Sequence, residues 1–559
     1  MARKTTAEKL ATIQKGYALE GATIELGAAI IDGELHKDAP VRLPLAMMNR
    51  HGLVAGATGT GKTVTLHMMA EQLSTAGVPV FLADIKGDLS GLATAATGSE
   101  KLSTRTESIG QPWQGRTFPV EFLALGGDGN GVPVRATVSS FGPILLSRIM
   151  ELNDTQESSL QLVFYFADQN GLELVDLKDL RAVIQFLTSA EGKDQLEELG
   201  GLSKATAGVI LRELVNLEAQ GLEKFFGEPE FDTAELLRTA PDGRGVITCL
   251  ELPTLQTKPM LFSTFLMWLL ADLFEDLPEA GDLDKPKLVF FLDEAHLLFN
   301  GASKAFLEAI TTTVRLIRSK GVGIFFVTQT PKDVPADVLG QLANRVQHAL
   351  RAFTPEDAKA LKATVSTFPV SDYDLEETLT SAGIGEAVIT VMNDKGAPTP
   401  VAHTRLRAPE SVMGPSEEAL VRSTVAGSAL LPKYGTAVDN PSAYEKLAGK
   451  TAAPTGPAAE VPGPLDVDEE ARRIEEEILG RPSSRTSSKP ASRRDKTPVD
   501  APPRQPQPQP GGGMMDDLGA VLGGALGGGL KSMARSVGTQ LGRELLRGVF
   551  GTSSRRRRR

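Results

Sequence analysis

The run Gly56-Ala57-Thr58-Gly59-Thr60-Gly61-Lys62-Thr63 constrains the fold of this chain more than any other feature. It fits the pattern G-x-x-x-x-G-K-[ST] in full. Before it, Leu53-Val54-Ala55 reads as a buried strand, being short, apolar and stopped by glycine. After it, residues 63–76 have helical composition, and Gly77 and Pro79 end the helix. Residues 80–83, Val-Phe-Leu-Ala, form the next apolar strand. Apolar strands joined through a helix require a parallel sheet covered on both faces, so the fold class is α/β with a mostly parallel sheet.

Each residue type in the run has a chemical reason. Glycine at 56, 59 and 61 lets the backbone curl until its N–H groups converge on phosphate oxygens. Lys62 sets a positive charge against β- and γ-phosphates, and the Thr63 hydroxyl ligates Mg²⁺. The following helix points its N-terminus at the same anion. Residues Gly56, Ala57, Thr58, Gly59, Thr60, Gly61, Lys62 and Thr63 are therefore the expected phosphate-binding set.

A second cluster follows the apolar run 288–292, where Asp293, Glu294, Ala295 and His296 stand in succession. A strand ending in Asp-Glu puts two carboxylates at the rim of the sheet. There Asp293 would hold Mg²⁺, commonly through water, and Glu294 would polarise an attacking water. A third strand, 324–328, ends at Gln329, which either senses the γ-phosphate or caps the strand. Asp84, ending the strand 80–83, either supports the metal shell or caps a loop. His296 reads as a neutral neighbour of the carboxylates, and the six histidines show no metal-binding spacing. Asp242-Gly243-Arg244-Gly245 and Asp128-Gly129-Asn130-Gly131 read as turns rather than calcium loops.

The organisation along the 559 residues is uneven. Residues 1–50 hold short β-like runs at 22–26 and 28–31. Residues 51–140 form the first part of the core. Residues 141–240 carry helix-spaced apolar positions and almost no strand signal, an inserted α-helical subdomain. Strand character returns in 241–430, ending in a β-pair at 386–392 and 400–405. Residues 431–529 read as a disordered linker: 481–510 are nearly devoid of apolar side chains, 511–529 contain nine glycines, and 466–479 form one charged helix. Residues 530–559 regain an apolar stripe, Leu530, Met533, Val537, Leu541 and Leu545, and end in five arginines.

The formal charge of −11 excludes a wholly basic nucleic-acid coat, yet from Lys531 onward there are nine Lys or Arg and one Glu. An acidic body with a basic tail is a tethering pattern. The tail suits DNA through counterion release, an anionic membrane surface through its amphipathic helix, or simple solvation. The single cysteine, Cys249, lies in an apolar run and excludes an internal disulfide. Residues 1–8 lack the apolar core of a signal peptide, and Asp272 cuts the apolar stretch 260–274 short of a membrane span. The expected location is the cytoplasm.

These residues carry a family resemblance. Arg50 through Thr63, then Gly77-Val78-Pro79-Val80-Phe81-Leu82-Ala83-Asp84-Ile85-Lys86-Gly87-Asp88-Leu89-Ser90-Gly91-Leu92, with 292–296 and 327–331, resemble the bacterial HerA-like helicase-domain proteins of the YjgR type, in the FtsK–HerA superfamily. The resemblance spans about residues 20–410. It implies a RecA-like P-loop core that hydrolyses ATP with Mg²⁺, an acidic catalytic pair, a polar sensor and a homo-oligomeric, hexameric ring. In such rings a neighbouring subunit supplies an arginine. Arg345 is the favoured candidate, ahead of Arg315, Arg318 and Arg351. Barely fifty residues precede the loop, which is too few for the full N-terminal β-barrel of HerA proper, and no winged-helix module is expected after the core. Two functions stay open: a DNA helicase or translocase, and an ATP-dependent assembly switch or membrane-linked scaffold without DNA activity.

Overall fold

The structure, a computed structural model, describes residues 4–451 except 126–128, 253–258, 301 and 303. Its centre is one sheet of twelve strands. In chain order they are β1 (Thr23–Ile31), β2 (Glu34–Pro44), β3 (Gly52–Ala55), β4 (Val80–Asp84), β5 (Val120–Leu125), β6 (Val132–Val134), β7 (Ile247–Glu251), β8 (Leu288–Leu292), β9 (Val322–Thr328), β10 (Asn344–His348), β11 (Glu386–Thr390) and β12 (Ala402–Leu406). Their spatial order is β2-β1-β12-β11-β10-β3-β9-β8-β4-β7-β5-β6. From β10 to β6 every pairing is parallel, and from β2 to β10 every pairing is antiparallel.

The central parallel strands β3, β8 and β9 are almost wholly apolar because both faces of the sheet are covered. Along β8, Leu288, Phe290 and Leu292 enter one core while Val289 and Phe291 enter the other. In β4, Phe81 and Ala83 face the first core and Val80 and Leu82 the second. A period of two thus feeds two cores from one unbroken apolar run.

The runs at 22–26 and 28–31 are one strand, β1, with a register shift between Glu25 and Gly27. Gly27 is required there: a Cβ would meet the Arg405 carbonyl oxygen at 2.0 Å.

Residues 138–237 are helical, with helices Val138–Ile149, Asp154–Gln169, Leu177–Thr188 and Lys204–Ala219. Capping boxes start two of them, Asn153 with Gln156 and Asp176 with Asp179. Leu177, Leu180, Val183, Ile184 and Leu187 form a buried stripe. This region shares its core with the sheet through the helix Pro259–Asp276, where Phe225 meets Trp268 edge-on at 5.8 Å. No described helix is long and apolar enough to cross a membrane.

The expectation of a linker from residue 431 is corrected: the packed chain continues to Thr451 through helices Leu431–Tyr434 and Ala443–Thr451. Tyr434, Ala443 and Leu447 are buried, and the Tyr434 ring lies 5.1 Å from Phe231. The Tyr444 N–H donates to buried Asp179 at 2.9 Å. These apolar residues are too sparse to show a period, but they meet a surface the helical region already presents. The remainder of the expected linker, the helix at 466–479, and the amphipathic stretch 530–559 lie outside the described residues.

Candidate active site

Strands β3, β9, β8 and β4 lie side by side and run the same way, with Ala55 opposite Thr328, Leu292 opposite Phe326, and Ala83 opposite Leu292. Their C-terminal ends therefore form one rim. The residues that leave it are Gly56, Gln329, Asp293 and Asp84.

The loop after β3 folds as its glycines require. Gly59 and Gly61 take φ values of 77° and 111°, open to glycine and costly for other residues. At Gly56 the constraint is contact: a Cβ would lie 2.4 Å from the His348 Cβ. Three anchors hold the loop: Gly56 N–H donates to Thr328, Ala57 N–H to Ala349, and Gly385 N–H to the Thr60 carbonyl, at 3.2, 2.9 and 3.0 Å. The Lys62 ammonium rests on the carbonyls of Gly56 and Ala57 at 2.8 and 3.3 Å. Among the described hydrogen bonds none is donated by the N–H groups of Gly59, Gly61, Lys62 or Thr63. The helix Lys62–Thr75 begins there without a side-chain cap. Unused donors at a helix N-terminus, beside a lysine, fit a polyphosphate.

The acidic pair lies alongside. Asp293 and Glu294 are both buried. Asp293 Oδ1 accepts the Glu294 N–H at 2.9 Å. Burial and the neighbouring Glu294 charge push the Asp293 carboxyl up to about 6. Burial also acts to raise Glu294, but a hydrogen bond and the charge of Lys86 outweigh it and hold that carboxyl below its usual range. Burial lowers Lys62 against the opposing pull of Glu294 and Asp293. Asp84, Asp88, Asp293 and Glu294 gather here with the ammonium groups of Lys62 and Lys86 and the His296 imidazole. A carboxylate excess of that kind fits a divalent cation, and Thr63 and Asp293 are the residues that could hold it.

Asp84 is buried and caps the turn after β4, accepting from Gly87 N–H at 2.7 Å and Leu89 N–H at 3.0 Å. Burial raises its carboxyl to about 6. Gln329 emerges exposed just past β9. Asp333 fixes that turn by accepting from the Thr328 hydroxyl at 2.6 Å and the Thr330 N–H at 3.0 Å. Arg345 is not brought to this rim within the subunit. It pairs with Leu53 near the opposite end of β10, and its guanidinium donates to the Thr367 hydroxyl. Arg315, Arg318 and Arg351 are exposed.

Sequence reasoning passed over two residues of the site. Lys86 bonds Glu294, and His348 packs beneath Gly56 with its Nε2 2.9 Å from the Thr65 hydroxyl. A lysine just past a strand end was a signal for the first, but only the strand order says which carboxylate it meets.

A family model for the C-terminal part of HerA-like helicases matches residues 30–559. The chain belongs to that family. This HerA-like protein is 22% identical over 395 residues to the DNA double-strand break repair helicase HerA of Saccharolobus solfataricus, covering 69% of each chain. It is 23% identical over 393 residues to the same-named protein of Sulfurisphaera tokodaii, again covering 69% of each. Among solved structures it is similar to the plasmid coupling protein TrwB in complex with an ATP analogue, at 15% identity and TM-score 0.48, covering 74% of this chain and 96% of that one. VirB4 of Thermoanaerobacter pseudethanolicus gives 15% and 0.41, covering 70% and 97%.

Proposed function

We propose that this HerA-like chain is an ATP-hydrolysing motor that works as a homo-oligomeric, hexameric ring on DNA in the cytoplasm. The observation that carries the reading is the meeting, at one rim, of the Gly56–Thr63 loop with its unused N–H donors and the buried Asp293–Glu294 pair. The loop amides and Lys62 bind the β- and γ-phosphates of the substrate ATP. Thr63 and Asp293 hold Mg²⁺, which when bound neutralises charge on the triphosphate. Glu294 orients a water and takes its proton as that water attacks the γ-phosphorus, the β–γ bridging oxygen leaving with ADP. Gln329 contacts the γ-phosphate, and Arg345 enters from the neighbouring subunit, away from its own loop.

Support for the DNA reading comes from the HerA relatives, named as DNA double-strand break repair helicases, and from the basic residues after Lys531. The test is steady-state ATP turnover with and without DNA at low salt, with Glu294→Gln as the blank. Stimulation of several fold sustains the motor. A rate that depends on Glu294 but ignores single- and double-stranded DNA sinks the DNA part, and points to an ATP-dependent switch whose tail meets a partner or an anionic membrane.

A further inference from the structure

Lys86 and Glu294 are separated by 208 residues in sequence. The pairing of Ala83 with Leu292 sets the ends of β4 and β8 level, so the segments that follow leave the rim together. The Lys86 ammonium donates to Glu294 Oε1 there. Glu294 itself holds a left-handed backbone, φ 47°, a conformation that costs a non-glycine residue about 1 kcal/mol or more and persists only where its surroundings enforce it. Its other oxygen, Oε2, is buried and accepts no hydrogen bond among the described residues. His296 Nδ1 lies 3.2 Å from that oxygen and is likewise buried and unbonded. The Glu294 carboxylate is thus held by Lys86 on one oxygen and lies within ion-pair distance of His296 on the other.

The lysine is built to leave. Its side chain is 47% exposed, against 9% for Glu294. Its turn is held by Asp84 through Gly87 and Leu89, not by Lys86 itself. Gly87, next in sequence, has φ 75°, a left-handed turn that glycine adopts without strain. Lys62, the other cation at the rim, is occupied by the loop carbonyls of Gly56 and Ala57. A terminal phosphate reaching this rim would compete with Glu294 for Lys86.

We propose that Lys86 senses the terminal phosphate: it is stored on Glu294 when no nucleotide is bound, and its transfer to the γ-phosphate frees Glu294 to take the water. The proposal rests on the ATPase reading above and deepens it. ADP, lacking that phosphate, leaves the pair closed, which ties release of the base to arrival of a complete triphosphate. Lys86 is a positioning residue for Glu294 and a ligand of substrate in turn.

Binding, not turnover, tests this. The full chain with Mg²⁺ is titrated with ADP and with a non-hydrolysable ATP analogue, for the wild type, Lys86→Met, Lys86→Arg, Glu294→Gln and the Lys86→Met/Glu294→Gln pair. A charge-assisted hydrogen bond is worth roughly tenfold in affinity. Lys86→Met is expected to weaken the analogue by about tenfold and ADP by less than about twofold. Lys86→Arg restores the preference. Glu294→Gln tightens the analogue by removing the competitor for Lys86, and that gain vanishes in the double variant. Equal weakening of both nucleotides by Lys86→Met, or a Glu294→Gln gain that survives in the double variant, overturns the proposal while leaving the active site standing. If the wild type binds neither nucleotide, the ATPase reading fails and the proposal with it.

Discussion

His348 Nε2 lies 2.9 Å from the Thr65 hydroxyl, both groups fully buried. The contact joins the end of β10 to the helix that carries the phosphate loop, and it places the His348 Cβ under Gly56. Burial, with the nearby Lys62 charge, holds the imidazole down at about 4, so it is neutral at physiological pH and shares a hydrogen bond with the hydroxyl without adding charge beneath the loop. The loop is therefore shaped from below by a residue far along the chain.

Gly56→Ala tests that shape. A methyl 2.4 Å from the His348 Cβ cannot be relieved by a flexible side-chain end. Overpacking of this kind costs about 1–3 kcal/mol, and the loop is the part free to yield. The expected outcome is a loss of ATP-analogue affinity of about tenfold or more with a smaller fall in melting temperature. Unchanged affinity would show that the loop does not depend on this contact.

Lys62→Ala and Glu294→Gln separate binding from chemistry. Removing Lys62 takes away the cation that leaves Gly56 and Ala57 for the phosphates, and nucleotide binding is lost. Glu294→Gln keeps the shape of the side chain and the nucleotide but cannot accept a proton, so turnover falls about 10²–10⁴-fold. Equilibrium binding and phosphate release measured on the same samples decide it; wild-type turnover in Glu294→Gln removes the assigned role.

Asp272 gives a pH-dependent prediction. It is buried in the helix Pro259–Asp276, accepts the Thr233 hydroxyl at 2.7 Å, and burial raises its carboxyl to about 7 from an ordinary value of 3.8. The folded chain thus holds this proton more tightly than the unfolded chain. The stability it contributes is fully present below the ordinary value and is lost as pH rises towards 7. Asp272→Asn has no such loss, so its melting temperature relative to wild type should climb between pH 4 and 7 and level off above. A difference that is flat with pH would contradict the assignment.

Tyr17 probes the antiparallel end of the sheet. Its buried hydroxyl donates to the Pro400 carbonyl at 3.0 Å and accepts from the Thr399 hydroxyl at 3.0 Å. Tyr17→Phe leaves both partners without it, at a cost of about 1–3 kcal/mol. Denaturant unfolding should show that loss while nucleotide affinity stays unchanged, because the site lies on the parallel half.

Much of the site could be read from local pattern. Gly56 through Thr63 is a fixed spacing whose glycines and lysine act within one turn, and Asp293–Glu294 follows a strand apolar enough to be recognised alone. The helical region 138–237 announced itself by periodicity, as with Leu177, Leu180, Val183, Ile184 and Leu187. The packed helices after residue 430 did not, because Tyr434, Ala443 and Leu447 bury against a surface that other segments build.

What the sequence determined by itself, then, is what a few adjacent residues enforce: a loop that must curl, strands apolar on both faces, helices with one buried stripe. Those effects act through the backbone over a handful of residues, and no distant partner is needed to express them. Which side chains face one another was decided by the tertiary structure alone. Strand order and register brought Lys86 to Glu294 and His348 beneath Gly56, and turned Arg345 away from its own loop. Each of these depends on hydrogen-bonded pairings between segments remote in sequence, whose choice is governed by burial of the whole sheet between its two cores.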